Sequence, residues 1–178
     1  MTERKGSITN EDFMEVIKGQ KEVGNRYKTH FFSMFSHLFS TIAEEVITQF
    51  GDEGRKAIGE AVKKFGEERG RKIAKLVKSL GKELTLTNFY IYGDLDGGQI
   101  TKSKLKIVDG NVEVLIRDCM FCNTSRDWDK LEYGKIYCEY VDEAIIKGYN
   151  PDIVLEIPKT MTSGDNKCHF KYFVKEKE

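Results

Sequence analysis

The stretch Leu105-Lys106-Ile107-Val108-Asp109-Gly110-Asn111-Val112-Glu113-Val114-Leu115-Ile116 decides the fold class. Apolar side chains alternate at Leu105 and Ile107, and again at Val112, Val114 and Ile116, which is the period of a strand with one buried face. Between the two runs stands Asp-Gly, a pair that accepts the positive φ angles of a tight two-residue turn. An antiparallel hairpin is expected here, and the other elements must arrange themselves around it.

Upstream, the period is helical. Phe13, Val16, Ile17 and Val23, then Tyr27, Phe31, Met34, Phe35, Leu38 and Phe39, recur as one long helix or as two broken near Gly24. Asn10 reads as the N-cap, with Glu11 and Asp12 complementing the helix dipole in the first turn. Residues 41–50 read as a further helix ending at Gly51. Residues 52–66 and 67–80 read as two more, or as one with a bend, closed by Gly81. Gly66 and Gly70 lie one turn apart, where glycine costs about 1 kcal/mol against alanine. Close approach by another backbone is the expected compensation.

Downstream, residues 87–92 alternate like a strand. Residues 128–148 are helical again through Leu131, Ile136, Tyr137, Val141, Ala144 and Ile145. Residues 153–157 and 168–174 read as closing strands, joined by a polar loop through Ser163-Gly164-Asp165. The whole is an α+β fold: N-terminal helices on one face of a mainly antiparallel sheet, with one helix (about 134–147) inserted between strands. Residues 1–9 are expected to be a flexible N-terminus. Residues 10–178 are expected to be a single domain, with a helical part at 10–81 and a sheet part at 82–178.

The chain has 178 residues, a third of them charged, with 29 basic against 29 acidic side chains. Such a balance is unlike a nucleic-acid-binding protein, which concentrates positive charge. No apolar run is long enough for a signal peptide or a membrane span. Four cysteines without an export signal are expected as thiols in a reducing cytoplasm, and the Asn123-Thr124-Ser125 sequon is read as accidental. Phosphate-binding glycine loops, a nucleophile elbow and a His-Glu-x-x-His zinc helix are all absent. Asp94-Leu95-Asp96-Gly97-Gly98 begins like a calcium loop but lacks the later ligands, so it reads as a turn. His30 and His37 are seven residues apart on one helical face, about 10.5 Å along the axis, too far to share a metal. His30, beside Phe31 and Phe32, could still line a pocket.

Cysteine is the informative residue. Cys119 and Cys122 form a Cys-x-x-Cys, followed by Cys138 and by Cys168-His169. Three readings stay open: a structural zinc site, a redox pair at Cys119 and Cys122, or four small buried hydrophobes. Two details favour a pocket. Cys138 and Asp142 are four apart and share a helical face; Cys168 opens a strand with Phe170 and Tyr172 on its own side.

Tyr137-Cys138-Glu139-Tyr140-Val141-Asp142, then Gly148-Tyr149-Asn150-Pro151, then Thr162-Ser163-Gly164-Asp165-Asn166-Lys167-Cys168-His169-Phe170 resemble the L-2-amino-thiazoline-4-carboxylic acid hydrolase family. Cys119 matches the first cysteine of that pattern, and Phe65-Gly66-Glu67-Glu68-Arg69-Gly70-Arg71 matches its midsection; Cys122 is extra. The resemblance runs from about Phe50 onward. The chain is also similar, more distantly, to four-vinyl-reductase domains, small α+β modules that bind ligands.

The resemblance implies hydrolytic opening of the thiazoline ring to N-carbamoyl-L-cysteine. Asp142 would be the general base, and Cys138 or Cys168 the proton donor, or a nucleophile if its pKa were depressed. Arg69 and Arg71 would clamp the substrate carboxylate, with Cys119, Asp165 and His30 lining the site. No cofactor is implied; zinc on Cys119, Cys138 and Cys168 is the alternative. The expected partner is a small molecule, not nucleic acid or a membrane, and the phenylalanine-rich N-terminal helices permit a homodimer.

Overall fold

A computed structural model describes residues 9–26, 28–108 and 111–175. The chain divides into two compact units, Met1–His30 and Phe31–Glu178. The first contains helix α1, Asn10–Val23. Its N-cap is Thr9, one residue before the expected Asn10. The Thr9 hydroxyl accepts from the Asp12 amide while the Asp12 carboxylate accepts from the Thr9 amide, a reciprocal capping box. The helix ends at Gly24, which supports the two-helix reading. The expected flexible segment falls on residues outside the described ones, apart from Thr9.

The second unit begins with α2, Phe31–Ser79, which bends at Gly51 (φ 58°, ψ −136°). No break separates residues 39 and 41, and the two segments read at 52–80 are one continuous stretch. It ends as expected: Gly81 takes φ 68°, its amide donates to the Lys78 carbonyl, and the Lys82 amide reaches the Val77 carbonyl. These two bonds satisfy carbonyls that the helix leaves orphaned.

Residues 87–92 depart from expectation. Helix α3, Leu86–Tyr92, starts where the Thr85 hydroxyl accepts from the Asn88 amide. Leu86, Phe89 and Tyr92 all pack on the core, a three-residue spacing that outweighs the alternation of Thr87, Phe89 and Ile91. A single turn, α4 (Gly97–Ile100), leads into strands β1 (Thr101–Val108) and β2 (Asn111–Cys119). They pair antiparallel from Thr101↔Cys119 to Val108↔Asn111, the expected hairpin; its turn residues, Asp109 and Gly110, lie outside the described residues.

Two helices, not one, then interrupt the strands: α5 (Met120–Asp127) and α6 (Leu131–Tyr149). Helix α5 carries no apolar period in the sequence, because its buried positions include Thr124 and Ser125. Ser125 Oγ meets Ser36 Oγ at 3.0 Å and Ser40 Oγ at 3.2 Å, and Ser36 Oγ donates to the Phe121 carbonyl. Polar side chains thus satisfy one another inside the helix–helix contact, a pattern hydrophobic periodicity cannot register. Strands β3 (Ile153–Lys159) and β4 (Cys168–Val174), joined through a 3-10 turn at Met161–Ser163, complete a wholly antiparallel sheet of order β1-β2-β4-β3.

The sheet buries one face through Val114, Ile153, Leu155, Phe170 and Tyr172. Its other face carries polar cross-strand pairs such as Glu113↔Lys171. Both edges are protected, β1 by lysines at 102, 104 and 106 and β3 by Pro158. The helical layer is held by α2 against α6. A Cβ on Gly66 would stand 2.7 Å from Ala144 Cβ, and one on Gly70 would stand 2.1 Å from the Ile145 carbonyl oxygen. The same holds in reverse for Gly148, at 2.3 Å from the Glu67 oxygen. The two backbones touch, as the glycine spacing implied. The architecture is the expected α+β fold.

Candidate functional site

The backbone contact between α2 and α6 fixes the site. Arg69 lies between Gly66 and Gly70 on α2, and Asp142 lies between Val141 and Ala144 on α6, so the touching glycine face sets a cation beside a carboxylate. Cys138, one turn before Asp142, shares its side of α6. The sheet contributes from one end only. In the β2–β4 register Ile116 faces Cys168, so Cys119 at the end of β2 and Cys168 at the start of β4 emerge at the same edge. Thr101, which opens β1, and Thr160, just past β3, lie there too.

These groups surround one small cavity of about 140 Å³. Arg69, Cys119, Cys122, Cys138, Asp142 and Cys168 line it, with apolar walls from Phe32, Phe121, Ile116, Val141, Ile145 and Phe170. Asp142 makes no hydrogen bond among the described residues, and no fully buried polar side-chain atom lacks a partner. Its oxygens therefore open onto the cavity. Burial pushes its pKa up to about 6, with the Arg69 charge pulling the other way.

Arg69 is held from one side. Its Nε donates to Asp94 Oδ2 at 2.9 Å and its Nη2 to Asp94 Oδ1 at 2.7 Å, a two-pronged bond that keeps the guanidinium planar and charged. The Phe65 ring lies 5.4 Å from the guanidinium carbon. Asp94, which had read only as a turn residue, is thus attached to the site through Arg69. No local signal marks it, because the partner is 25 residues away.

All four cysteines are free thiols. The Cys168 thiol is raised by burial, although its Sγ accepts from the Met161 amide at 3.3 Å. Cys119 is raised by its hydrogen bond to Cys122 and then by burial. At Cys122 the bond with Cys119 acts downward, and the bond with Cys138 together with burial outweighs it. Cys138 likewise feels Cys122 downward but is lifted by burial and by Asp142. Depressed thiol pKa values, which nucleophilic catalysis would need, are not what this surrounding produces; protonated donors are. The tyrosines behind the cavity are kept neutral by burial, Tyr90 at about 12 and Tyr172 well above its usual value.

Three residues named from the sequence stand elsewhere. Arg71 is two positions from Arg69, so the helical turn points it away: it is 56 % exposed and pairs with Glu67 at 3.2 Å. Asp165 closes its own loop, its Oδ2 accepting from the Thr160 amide at 3.0 Å. His30 is an exposed residue of the first unit. His37 stacks on Trp128 with ring centres 3.9 Å apart. Among the described residues no three His, Cys, Asp or Glu side chains stand as a metal-holding group.

Fold and site define a small α+β domain whose sheet ends in a cavity carrying one guanidinium, one unpartnered carboxylate and four thiols. A family model for L-2-amino-thiazoline-4-carboxylic acid hydrolase matches residues 31–172, and the chain belongs to that family. No curated protein matches. Among solved structures the chain is similar to a trafficking protein particle complex subunit 3 from Naegleria fowleri covalently bound to palmitic acid. Identity is 14 %, covering 80 % of this chain and 96 % of that one, with a TM-score of 0.48. It is also similar to the phenol-responsive sensory domain of the transcription activator PoxR with phenol, at 12 % identity, 88 % and 89 % coverage and a TM-score of 0.41. Among the described residues no helix is long and apolar enough to cross a membrane.

Proposed function

We propose that this chain hydrolyses L-2-amino-thiazoline-4-carboxylate, or a close cyclic analogue, to N-carbamoyl-L-cysteine. The observation that carries the reading is Asp142, an unpartnered carboxylate with a pKa of about 6 that shares a cavity with Arg69 and protonated thiols. At neutral pH Asp142 is mostly ionised yet basic enough to take a proton from water, the condition for a general base.

Water attacks the ring carbon between nitrogen and sulfur while Asp142 accepts its proton. Cys138 or Cys168 donates a proton to the ring nitrogen. The carbon–sulfur bond then breaks as the hydroxyl formed from water becomes the ureido carbonyl and returns its proton to the donor cysteine, and the departing thiolate takes the proton held by Asp142. In net terms one water is added: its oxygen becomes the ureido carbonyl, and its hydrogens end on nitrogen and sulfur. Arg69 supplies the cation for the substrate carboxylate.

The same reading takes a small molecule as the partner and a reducing cytoplasm as the setting, supported by the four free thiols. It takes no cofactor. A second copy of the chain would cover the exposed Phe31, Met34, Leu38 and Ile42, which recur along α2. The experiment is direct: purified protein and Asp142→Asn, Cys138→Ala and Cys168→Ala variants are given the thiazoline acid and carbamoyl-cysteine is measured. Product from wild type, lost in Asp142→Asn, supports the assignment; equal turnover in all of them overturns it.

A further inference from the structure

Arg69 has five N–H donors in a rigid plane, arranged so that two different edges can each grip a carboxylate. Asp94 occupies the Nε–Nη2 edge through bonds of 2.9 and 2.7 Å. Among the described residues nothing accepts from the other three donors, and Arg69 lines the cavity. Asp142 lines the same cavity, and its charge and that of Arg69 act on each other, yet no hydrogen bond joins them. A half-buried guanidinium free to choose would close on a half-buried, unpartnered carboxylate. Here it does not, because Asp94 already holds it from behind.

We propose that Asp94 is a positioning and specificity-determining residue: it holds Arg69 by one edge, keeps it off Asp142, and leaves the remaining edge to receive a single carboxylate of the ligand. The inference rests on the hydrolase reading only for the identity of that ligand. Two roles are separated by this arrangement. Asp142 stays unpaired and basic, and Arg69 stays charged and available. Without Asp94, Arg69 would pair with Asp142, and one contact would silence both the anion receptor and the base.

A purely structural role for Asp94 is the competing explanation, since the same segment places Leu95 on the cavity wall. The two differ in what they do to charge discrimination. Equilibrium binding of L-2-amino-thiazoline-4-carboxylate and of its uncharged 4-carboxamide is measured calorimetrically on the full chain, for wild type, Asp94→Asn, Asp94→Glu and Arg69→Lys. Wild type should favour the carboxylate; Asp94→Asn should reduce that preference about tenfold, the effect of one charge-assisted hydrogen bond. Asp94→Glu, which keeps a carboxylate, should restore part of it. Arg69→Lys, which keeps the charge without the two-edged plane, should also reduce it.

Where turnover is seen, the acid limb of kcat/KM should move to lower pH in Asp94→Asn, as Arg69 reaches Asp142. The other titratable groups whose charge acts with Asp142 are Tyr90, Tyr137, Cys138, Cys168 and Tyr172, all raised above their ordinary values; Tyr137 alone of these also feels the Asp94 charge, but burial is the larger cause of its shift. Equal loss of both ligands in Asp94→Asn, with an unmoved pH profile, overturns the proposal and leaves the hydrolase reading standing. A carboxylate preference that depends on Asp94 without any carbamoyl-cysteine formed does the reverse. If neither ligand binds the wild-type chain, both fail.

Discussion

Replacing Asp142 by asparagine should make the protein more stable while disabling it. The side chain keeps its shape and loses its charge. In the folded chain the aspartate pKa stands at about 6 instead of the ordinary 3.8, because burial disfavours the ionised form. Between those two values the native state holds a proton that the unfolded state has released, so stability falls as pH rises. The span of about 2.2 pH units, at about 1.4 kcal/mol each, makes the ionised carboxylate cost about 3 kcal/mol at pH 7. By the same relation the cost falls to about half of that at pH 5 and to a small fraction of it at pH 4. Urea denaturation of wild type and Asp142→Asn at these three pH values reads the difference directly, and all other titrating groups cancel. The variant should be the more stable, with an advantage that shrinks toward pH 4. Activity should follow the same titration: the ionised fraction falls from about 90 % at pH 7 to about 10 % at pH 5, so kcat/KM should drop about tenfold. An asparagine variant less stable than wild type at pH 7, or a stability gap that ignores pH, would refute a desolvated carboxylate here.

Other outcomes follow from the packing and the thiols. Gly70→Ala forces a methyl group onto the Ile145 carbonyl and the Tyr149 amide, and should cost about 3 kcal/mol or more in chemical denaturation. Gly81→Ala has room but the wrong φ, and should cost only about 1 kcal/mol. Ser125→Ala strips the hydroxyl that meets Ser36 and Ser40, and should lose about 1–3 kcal/mol. Iodoacetamide labelling, followed by mass spectrometry, should be slow at pH 7 for Cys119, Cys138 and Cys168 and accelerate above pH 9. Rapid labelling at neutral pH would show a depressed thiol and return these cysteines to the role of nucleophile.

The parts of the fold that were legible are those carried by strict period or by backbone chemistry. The Val112, Val114, Ile116 alternation and the glycines at 66, 70 and 81 each have one physical meaning, and the molecule uses it. Helix α3 was misread because Leu86, Phe89 and Tyr92 overlap an equally good alternation, and only the Thr85 cap separates the two. Helix α5 is hard to see because two of its four buried residues are Thr124 and Ser125, and Ser125 finds its partners in α2. At the site, spacing along α6 was enough to join Cys138 to Asp142. Convergence of Cys119 and Cys168 depended on the β2–β4 register, and attachment of Asp94 to Arg69 on a contact across 25 residues. Arg71 failed for the plain reason that two residues along a helix face nearly opposite ways.

The most direct measurement is product formation by the purified chain supplied with L-2-amino-thiazoline-4-carboxylate in ¹⁸O-enriched water, followed by mass spectrometry. The account expects N-carbamoyl-cysteine carrying the label in its ureido carbonyl, undiminished in Arg71→Ala and reduced at least about a hundredfold in Asp142→Asn. No labelled product from wild type, or an Asp142→Asn protein as active as its parent, would contradict it.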